Sequence, residues 1–134
     1  MARAIVLSSP ISRKFGIEIC NSIRKKHVED AKKILMNAVE KKEAIPFRKF
    51  IKDLGHKKKI GPGRFPVKAS KEILKLIENV EANAQFKGIN TAKLHIRYIC
   101  VNKGPTSWHY GRQSRRKMKR THIEIVVEEK EKQK

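Results

Sequence analysis

The sequence predicts an α+β fold with three helices, a few antiparallel strands and a long protruding basic β-hairpin. Apolar residues recur at helical spacing in three separate segments, and two later segments alternate between apolar and polar residues, as half-buried strands do. The segment that joins those two strands, residues 103–121, is strongly basic and has no helical pattern. The length of 134 residues fits a single domain, so we expect residues 1–134 to form one.

The first half of the chain predicts a strand and two short helices. Residues 2–7 are rich in Ile, Val and Leu and end at a Ser-Ser-Pro turn, and Ser12 then suits the N-cap of a helix. A second helix is expected from Val28 onward, after the basic segment 24–27. Two short helices joined by a tight basic turn also occur in helix-turn-helix proteins, so a DNA-reading role is an alternative. The second helix offers few side chains that are suited to reading bases, which weighs against it.

Residues 44–66 predict an irregular loop, because Pro and Gly interrupt them repeatedly. Their charge is almost entirely positive, and they also contain three Phe residues of a buried type, Phe47, Phe50 and Phe65. We interpret this segment as a loop that lies on RNA rather than as a solvated linker. The longest helix begins after Pro66 and ends near Gly88.

The remaining pattern is that of two strands and a charged tail. Leu94, Ile96, Tyr98 and Cys100 alternate with a second set of residues, and Ile123 begins a similar alternation. The intervening residues 103–121 form the expected extended hairpin arm, and residues 128–134 form a charged tail that we expect to be frayed.

Charge is the strongest indication of function. The chain has 33 Lys+Arg against 13 Asp+Glu, a net charge of +20, and cations at this density repel one another unless a polyanion is bound. Nucleic acid is favoured over an anionic membrane, because the chain has no lipid-anchor motif and its strongest basic cluster lies in a Gly- and Ser-containing segment rather than on a clean helical face. No apolar run approaches the ~20 residues of a membrane span. The apolar run at the N-terminus is too short for a signal peptide, so we expect a cytosolic protein without a membrane partner.

The arm carries the densest cluster of groups suited to RNA. Its Arg side chains match phosphate oxygens, and Trp108 and Tyr110 offer flat faces for unstacked bases. We expect the RNA-binding residues to be Arg13, Lys14, Arg48, Lys49, Lys57, Lys58, Lys59, Arg64, Lys68, Lys103, Trp108, His109, Tyr110, Arg112, Arg115, Arg116, Lys117, Lys119 and Arg120.

Catalytic and metal-binding patterns are not apparent in the sequence. Cys20 and Cys100 lie far apart, in apolar stretches, and predict reduced core thiols rather than zinc ligands. The His residues have no metal-type spacing, and no carboxylate pair suits magnesium. We therefore expect no cofactor, no metal and no catalytic residue, and an RNA-modifying enzyme is the less favoured alternative.

Five motifs along the chain are informative in their order and spacing. They are Pro46-Phe47-Arg48-Lys49-Phe50, Gly63-Arg64-Phe65-Pro66-Val67-Lys68-Ala69, Asn79-Val80-Glu81-Ala82-Asn83-Ala84, Val101-Asn102-Lys103-Gly104-Pro105 and Thr121-His122-Ile123-Glu124-Ile125-Val126-Val127. In order and spacing they resemble the universal large-subunit family called L-twenty-two in bacteria and L-seventeen in eukaryotes, in its archaeal and eukaryotic form. The resemblance covers nearly the whole chain. The chain departs from it at Ser12-Arg13-Lys14, where the family often has Ser-Pro-Arg-Lys, and the tip of its arm is a few residues shorter.

The resemblance implies an architecture and a set of partners. It implies that three helices pack on a small antiparallel sheet and that the globular part sits on large-subunit rRNA near the mouth of the nascent-peptide tunnel. It further implies that the hairpin lines the tunnel, that the protein binds rRNA early in assembly, and that it contacts neighbouring large-subunit proteins and the passing nascent peptide. We expect no homo-oligomer, and a location in the cytoplasm within the large subunit.

Overall fold

The computed structural model describes residues 1–129 and contains three α-helices and two small antiparallel sheets. The elements in chain order are β1 (Ala2–Ser9), α1 (Arg13–Ile23), α2 (Val28–Val39), β2 (Ile45–Pro46), β3 (His56–Lys57), β4 (Gly61–Arg64), α3 (Val67–Phe86), β5 (Leu94–Lys103) and β6 (Thr121–Glu129). The predicted α+β class and its three helices are confirmed. Within residues 1–129, no helix combines the length and the apolar character that a bilayer crossing requires.

The larger sheet has the strand order β1-β6-β5, and the helices cover one of its faces. Strand β6 alternates between buried and half-buried residues over almost its whole length, and α3 packs on β1 and β6 while α1 packs on β5. The apolar residues that recur at helical or strand spacing are fully or almost fully buried, namely Ile19, Leu35, Ile73, Ile77, Leu94, Ile96, Ile123 and Ile125. Phe15 is only half-buried and packs against this core from its edge.

A β-bulge interrupts the alternation that the sequence shows in β5. The pairing with β6 shifts register between Ile96 and Tyr98, so the side chains after Arg97 change face. Tyr98 is consequently half exposed, whereas Ile99 is fully buried. The sequence pattern had grouped Tyr98 and Cys100 with the buried Leu94 and Ile96. That grouping is wrong beyond the bulge, because one extra residue reverses every later side chain.

The segment 44–66 is folded and is not the irregular loop that its Pro and Gly content predicts. Strands β2, β4 and β3 form a second small sheet in that order, and Phe47 is fully buried beside it. The ring of Phe47 meets Phe15 edge to face, with 5.3 Å between the centroids. We call residues 45–64 the lobe. Its short strands escaped the sequence pattern because each has only two to four residues.

The three helices begin at the predicted positions, and the first two are capped in unexpected ways. Ser12 is the N-cap of α1, but its side chain makes no capping hydrogen bond. His27 caps α2 instead of a Ser or Asp, and its Nδ1 accepts from the backbone of Glu29. Gly88 ends α3 with a φ of +70°, a conformation that glycine adopts at little cost.

The cysteines and the tail differ in part from the expectation. Cys20 is buried and Cys100 is half-buried on the other face of the sheet, and both are free thiols. Glu128 and Glu129 belong to β6 rather than to a frayed tail, and Glu128 pairs with Arg97 at 3.2 Å. The rest of the predicted tail, residues 130–134, lies outside the described residues.

Candidate nucleic-acid interface

The arm projects from the open end of the β5–β6 pair. Regular pairing ends at Lys103 and Thr121, and a hydrogen bond from the Gly104 nitrogen to the Arg120 oxygen, 2.9 Å long, continues it by one step. Beyond this base, residues 105–119 are not a continuous two-stranded ribbon. Two further backbone hydrogen bonds cross the arm, from Met118 to Ser107 and from His109 to Arg116, and a short turn of 3₁₀ helix, Gly111–Gln113, lies at the tip.

The base of the arm is fixed to the body by close contacts. The buried Thr121 hydroxyl donates to the Ile11 carbonyl oxygen over 2.8 Å, which ties the start of β6 to the segment before α1. Gly104 is buried, and a Cβ atom there would lie 3.1 Å from the backbone carbon of Arg120. Only glycine therefore lets the two chains of the arm approach this closely.

Only one face of the Trp108 ring is free to stack on a base. The Lys117 ammonium lies 4.5 Å from the centre of its ring, a cation–π contact, and the two residues also form an isolated β-bridge. Trp108 remains 59% exposed, so its other face and its edges are accessible. Tyr110 is 87% exposed and is the freer of the two aromatic residues that the sequence analysis selected.

The predicted cations lie on the surface, and none of them has a carboxylate partner among residues 1–129. Every predicted cation is exposed except Arg120, which, like His109, is half-buried. Within residues 1–129, the ion pairs involve only other cations: Arg3–Glu124, Lys32–Glu81, Lys42–Glu40, Lys75–Glu72 and Arg97–Glu128. The carboxylates that form these ion pairs therefore do not neutralise any of the predicted site cations.

One cavity brings together cations from three separate parts of the chain. It has a volume of about 590 Å³ and lies between the start of α1, the lobe and the base of the arm. The six predicted cations on its walls are Arg13, Lys14, Arg64, Lys103, Lys119 and Arg120. Within the described part of the chain, its lining contains no carboxylate, and the apolar side chains of Ile11, Phe15, Phe50 and Ile51 complete it.

A buried carboxylate holds the lobe segment that forms one wall of this cavity. Glu18 is only 1% exposed, and its carboxylate accepts hydrogen bonds from the backbone nitrogens of Arg48, Lys49 and Phe50, over 3.1, 2.8 and 2.6 Å. Hydrogen bonds to an ionised acceptor are stronger than neutral ones, and these three satisfy most of the acceptor capacity of Glu18. Glu18 thereby sets the positions from which Arg48 and Lys49 project into solvent.

The residue after this anchored segment has a strained backbone. Ile51 has a φ of +55°, a region that β-branched residues rarely adopt. Such a conformation costs about 1–3 kcal/mol and persists only where neighbouring contacts impose it. The backbone nitrogens of the three residues before it are all bound to Glu18.

The structure does not bring all of the predicted residues to one place. Lys57, Lys58 and Lys59 lie at the outer end of the lobe, and Lys68 lies on the first turn of α3, all away from the cavity lining. The outer arm holds a further group away from it, namely Trp108, His109, Tyr110, Arg112, Arg115, Arg116 and Lys117. The candidate interface therefore consists of a concave centre with two exposed extensions, the lobe and the arm.

Glu18, Phe15 and Phe50 belong to the candidate site but are not among the predicted site residues. The sequence indicated Phe50 only as a Phe of a buried type within a loop that lies on RNA, and Phe15 only as part of the apolar stripe of the first helix; both are half-buried and line the cavity. An indication for Glu18 was present, since an acidic residue lies between Ile17 and Ile19 in an otherwise apolar part of the helix. Its partners are backbone groups some 30 residues away, which no side-chain pattern indicates.

Burial controls the chemistry of one of the two thiols. Desolvation in the core raises the pKa of Cys20 to about 12, so its thiol stays protonated near neutral pH. Within residues 1–129 there is no group of three or more His, Cys, Asp or Glu side chains placed to hold a metal ion.

Fold and site together define a small, basic α+β protein with a cationic cavity and a cationic arm. A model of the family described as ribosomal protein L22p/L17e matches residues 4–128, and the chain belongs to that family. Among its relatives is the large ribosomal subunit protein uL22 of Methanocaldococcus jannaschii, 41% identical over 96% of this chain and 87% of the relative. The proteins of the same name from Methanopyrus kandleri and Thermoplasma volcanium are 40% and 39% identical, again over 96% of this chain and over 86% and 90% of their own lengths.

Proposed function

We propose that this chain binds large-subunit rRNA mainly through phosphate contacts, as a structural constituent of the large ribosomal subunit in the cytoplasm. Membership of the L22p/L17e family makes it a ribosomal protein rather than an enzyme, and the relatives' name assigns that family to the large subunit. The binding residues are the predicted set, from Arg13 to Arg120. Residues 1–134 act as one domain that supports subunit assembly.

One observation carries the rRNA proposal. Within residues 1–129, none of the candidate cations forms an ion pair, although the chain has a net charge of +20. Exposed like charges at this density raise the free energy of the compact state. Phosphate groups relieve that repulsion and release counterions, so RNA is the partner that the surface fits best.

The arm is the part that we assign to the nascent-peptide exit tunnel. It protrudes beyond the last regular pair of β5 and β6, and its exposed side chains are cationic or aromatic. A narrow element of this kind can lie along RNA with its cations on phosphates while its tip faces the passing peptide. Neighbouring large-subunit proteins are expected against the globular part, and we propose no homo-oligomer.

The α1–α2 pair does not favour the helix-turn-helix alternative. The first turn of α2 carries Glu29 and Asp30, which would face DNA phosphates with negative charge. Lys32 is engaged in an ion pair with Glu81 of α3. The charges of the second helix are therefore arranged against DNA binding.

The test is a salt series with a large-subunit rRNA fragment. Each neutralised phosphate adds about 0.7–0.9 to the slope of log affinity against log salt, so we expect a steep fall in affinity. Co-sedimentation of the chain with large subunits from a cell extract is the matching measurement in the assembled particle. A nearly flat salt dependence, or absence from the large subunit, contradicts the proposal.

A further inference from the structure

We propose that the cavity at the base of the arm is a nucleotide-binding site that takes one unpaired RNA residue, with its phosphates on the cationic walls and its base on the aromatic wall. The inference rests on the proposed rRNA binding and makes it specific. The chain should therefore bind an RNA with an extruded base more tightly than a regular duplex of the same charge.

The dimensions of the cavity agree with a ligand of this size. Its volume of about 590 Å³ falls within the range of about 300–1,000 Å³ that is typical of small-ligand sites. A paired and stacked nucleotide presents only its backbone and base edges to a protein, so a regular duplex cannot fill such a depression. An extruded nucleotide brings a planar base and the phosphates on both of its sides.

The cations are distributed as the two phosphates of such a nucleotide require. Arg13 and Lys14 lie at the start of α1, Arg64 lies in the lobe, and the base of the arm contributes Lys103, Lys119 and Arg120, so cations from three elements surround the cavity. The start of α1 contributes as well. Because Ser12 makes no side-chain cap, the first backbone N–H groups of this 11-residue helix remain available to an anion.

The remaining lining is suited to a base rather than to a second phosphate. Phe50 presents a half-buried ring whose centre lies 5.9 Å from the Lys49 ammonium. The guanidinium of Arg64 lies 5.7 Å from the centre of the Phe15 ring, in the range of a stacked cation. Aromatic rings and guanidinium planes are the surfaces on which proteins stack unpaired RNA bases. The hydroxyls of Ser12 and Thr106 also line the cavity and can exchange hydrogen bonds with a base edge.

The aromatic wall is held in place before any ligand arrives. Glu18 binds the Phe50 backbone nitrogen over 2.6 Å, and Thr121 fixes the arm side through Ile11. A site whose walls are fixed in advance loses less conformational entropy on binding. This separates the cavity from the outer arm, where few backbone hydrogen bonds restrict the chain.

The experiment compares two short RNA hairpins that differ by one unpaired uridine in the stem, with affinity measured by fluorescence anisotropy. A base stacked in the cavity should make the bulged hairpin bind between about 5- and 150-fold more tightly than the paired one. Phe50→Leu should abolish this preference, so that the bulged hairpin binds no more tightly than the paired one. Arg64→Gln should lower the salt slope for the bulged hairpin by about 0.7–0.9.

Lys71→Gln is the matched control, since Lys71 is an exposed cation on α3 outside the cavity. It should keep the full preference for the bulged hairpin. Equal affinity for the two hairpins, or a preference that survives Phe50→Leu in a variant with wild-type circular dichroism, overturns the inference while the salt-dependent RNA binding stands. Displacement of the bulged hairpin by polyglutamate as readily as by uridine 3′,5′-bisphosphate also overturns it. Failure to bind either hairpin overturns the proposed function itself.

Discussion

The Glu18 carboxylate lies 2.6 Å from the backbone nitrogen of Phe50 and joins the first helix to the lobe. The two residues are 32 positions apart, so this hydrogen bond closes a long loop that contains α2 and the start of the lobe. It places a negative charge inside a strongly basic protein. That charge stabilises the arrangement of the cationic segment from within while its side chains stay available at the surface.

Replacing this carboxylate tests how far it stabilises the lobe. Glu18→Ala should lower the free energy of unfolding by about 3 kcal/mol or more, because three buried backbone N–H groups lose a charged acceptor. Urea unfolding is the measurement. Glu78→Gln, at an exposed position of α3, is the control and should remain within about 0.5 kcal/mol of the original protein. A Glu18→Ala protein as stable as the control would show that these three hydrogen bonds do not stabilise the lobe.

The backbones of Gly104 and Arg120 approach so closely at the base of the arm that a single added methyl group should lower the free energy of unfolding. Gly104→Ala places a Cβ 3.1 Å from the Arg120 backbone, and a backbone atom cannot move aside as a side-chain end can. We expect a loss of about 1–3 kcal/mol in urea unfolding. Gly55→Ala serves as the control, since nothing lies within 4 Å of a Cβ at that position. Equal stability of the two variants would contradict the observed spacing.

The arm and the fold should be separable. The buried side chains of the core come from the helices and the strands, and residues 106–118 contribute none to it. Replacing residues 106–118 with a short Gly-containing turn should leave a folded protein with native circular dichroism that still enters large subunits. A shortened chain that fails to fold in isolation would mean that the arm supplies part of the core.

The arm should be mobile without RNA and become ordered on binding. Three backbone hydrogen bonds cross it beyond the last regular pair, and repulsion among its cations opposes any fixed geometry. We expect fast amide hydrogen exchange through residues 105–119 in the free protein, with protection in residues 69–86 of α3. Binding to rRNA should slow exchange in the arm. Strong protection of the tip amides in the free protein would refute this.

The two thiols should differ in reactivity and in their effect on alkaline stability. Near pH 8, a thiol reagent should modify the half-buried Cys100 and leave Cys20 unmodified, as mass spectrometry of the peptides will show. Because burial raises the pKa of Cys20 to about 12, the stabilisation linked to its neutral thiol is complete below pH ~9. Stability should then fall as the pH rises from ~9 towards 12. A Cys100→Ser variant that reacts at the original rate would contradict the assignment.

The long elements could be predicted from the sequence, because each carries enough apolar residues to show a period. Helix α3 and strand β6 were placed within two residues of their observed ends at both termini. The lobe was not predicted because its strands are short and are held by Glu18 and Phe47, through contacts with residues distant in sequence. The change of face in β5 was not predicted for a related reason, since a bulge inserts one residue and leaves no mark in the composition.

The candidate site was predictable in its chemistry and only partly in its geometry. The strong excess of cations predicted a polyanion as partner, and the predicted site residues include every cation that lines the cavity. That Arg13, Arg64 and Lys119 line the same cavity could not be predicted, because they lie on separate elements that only the folded protein brings together. It also treated Trp108 as fully open, whereas Lys117 covers one face of its ring.

The contact between Lys117 and Trp108 has a practical consequence for spectroscopy. Trp108 is the single tryptophan of the chain, so all tryptophan emission originates from the arm and none from the core. An unfolding curve followed by this emission reports the arm, and one followed by far-ultraviolet circular dichroism reports the helices. The emission curve and the circular dichroism curve need not coincide, even when the core unfolds in a single step. Trp108 is therefore a built-in fluorophore for the ordering of the arm.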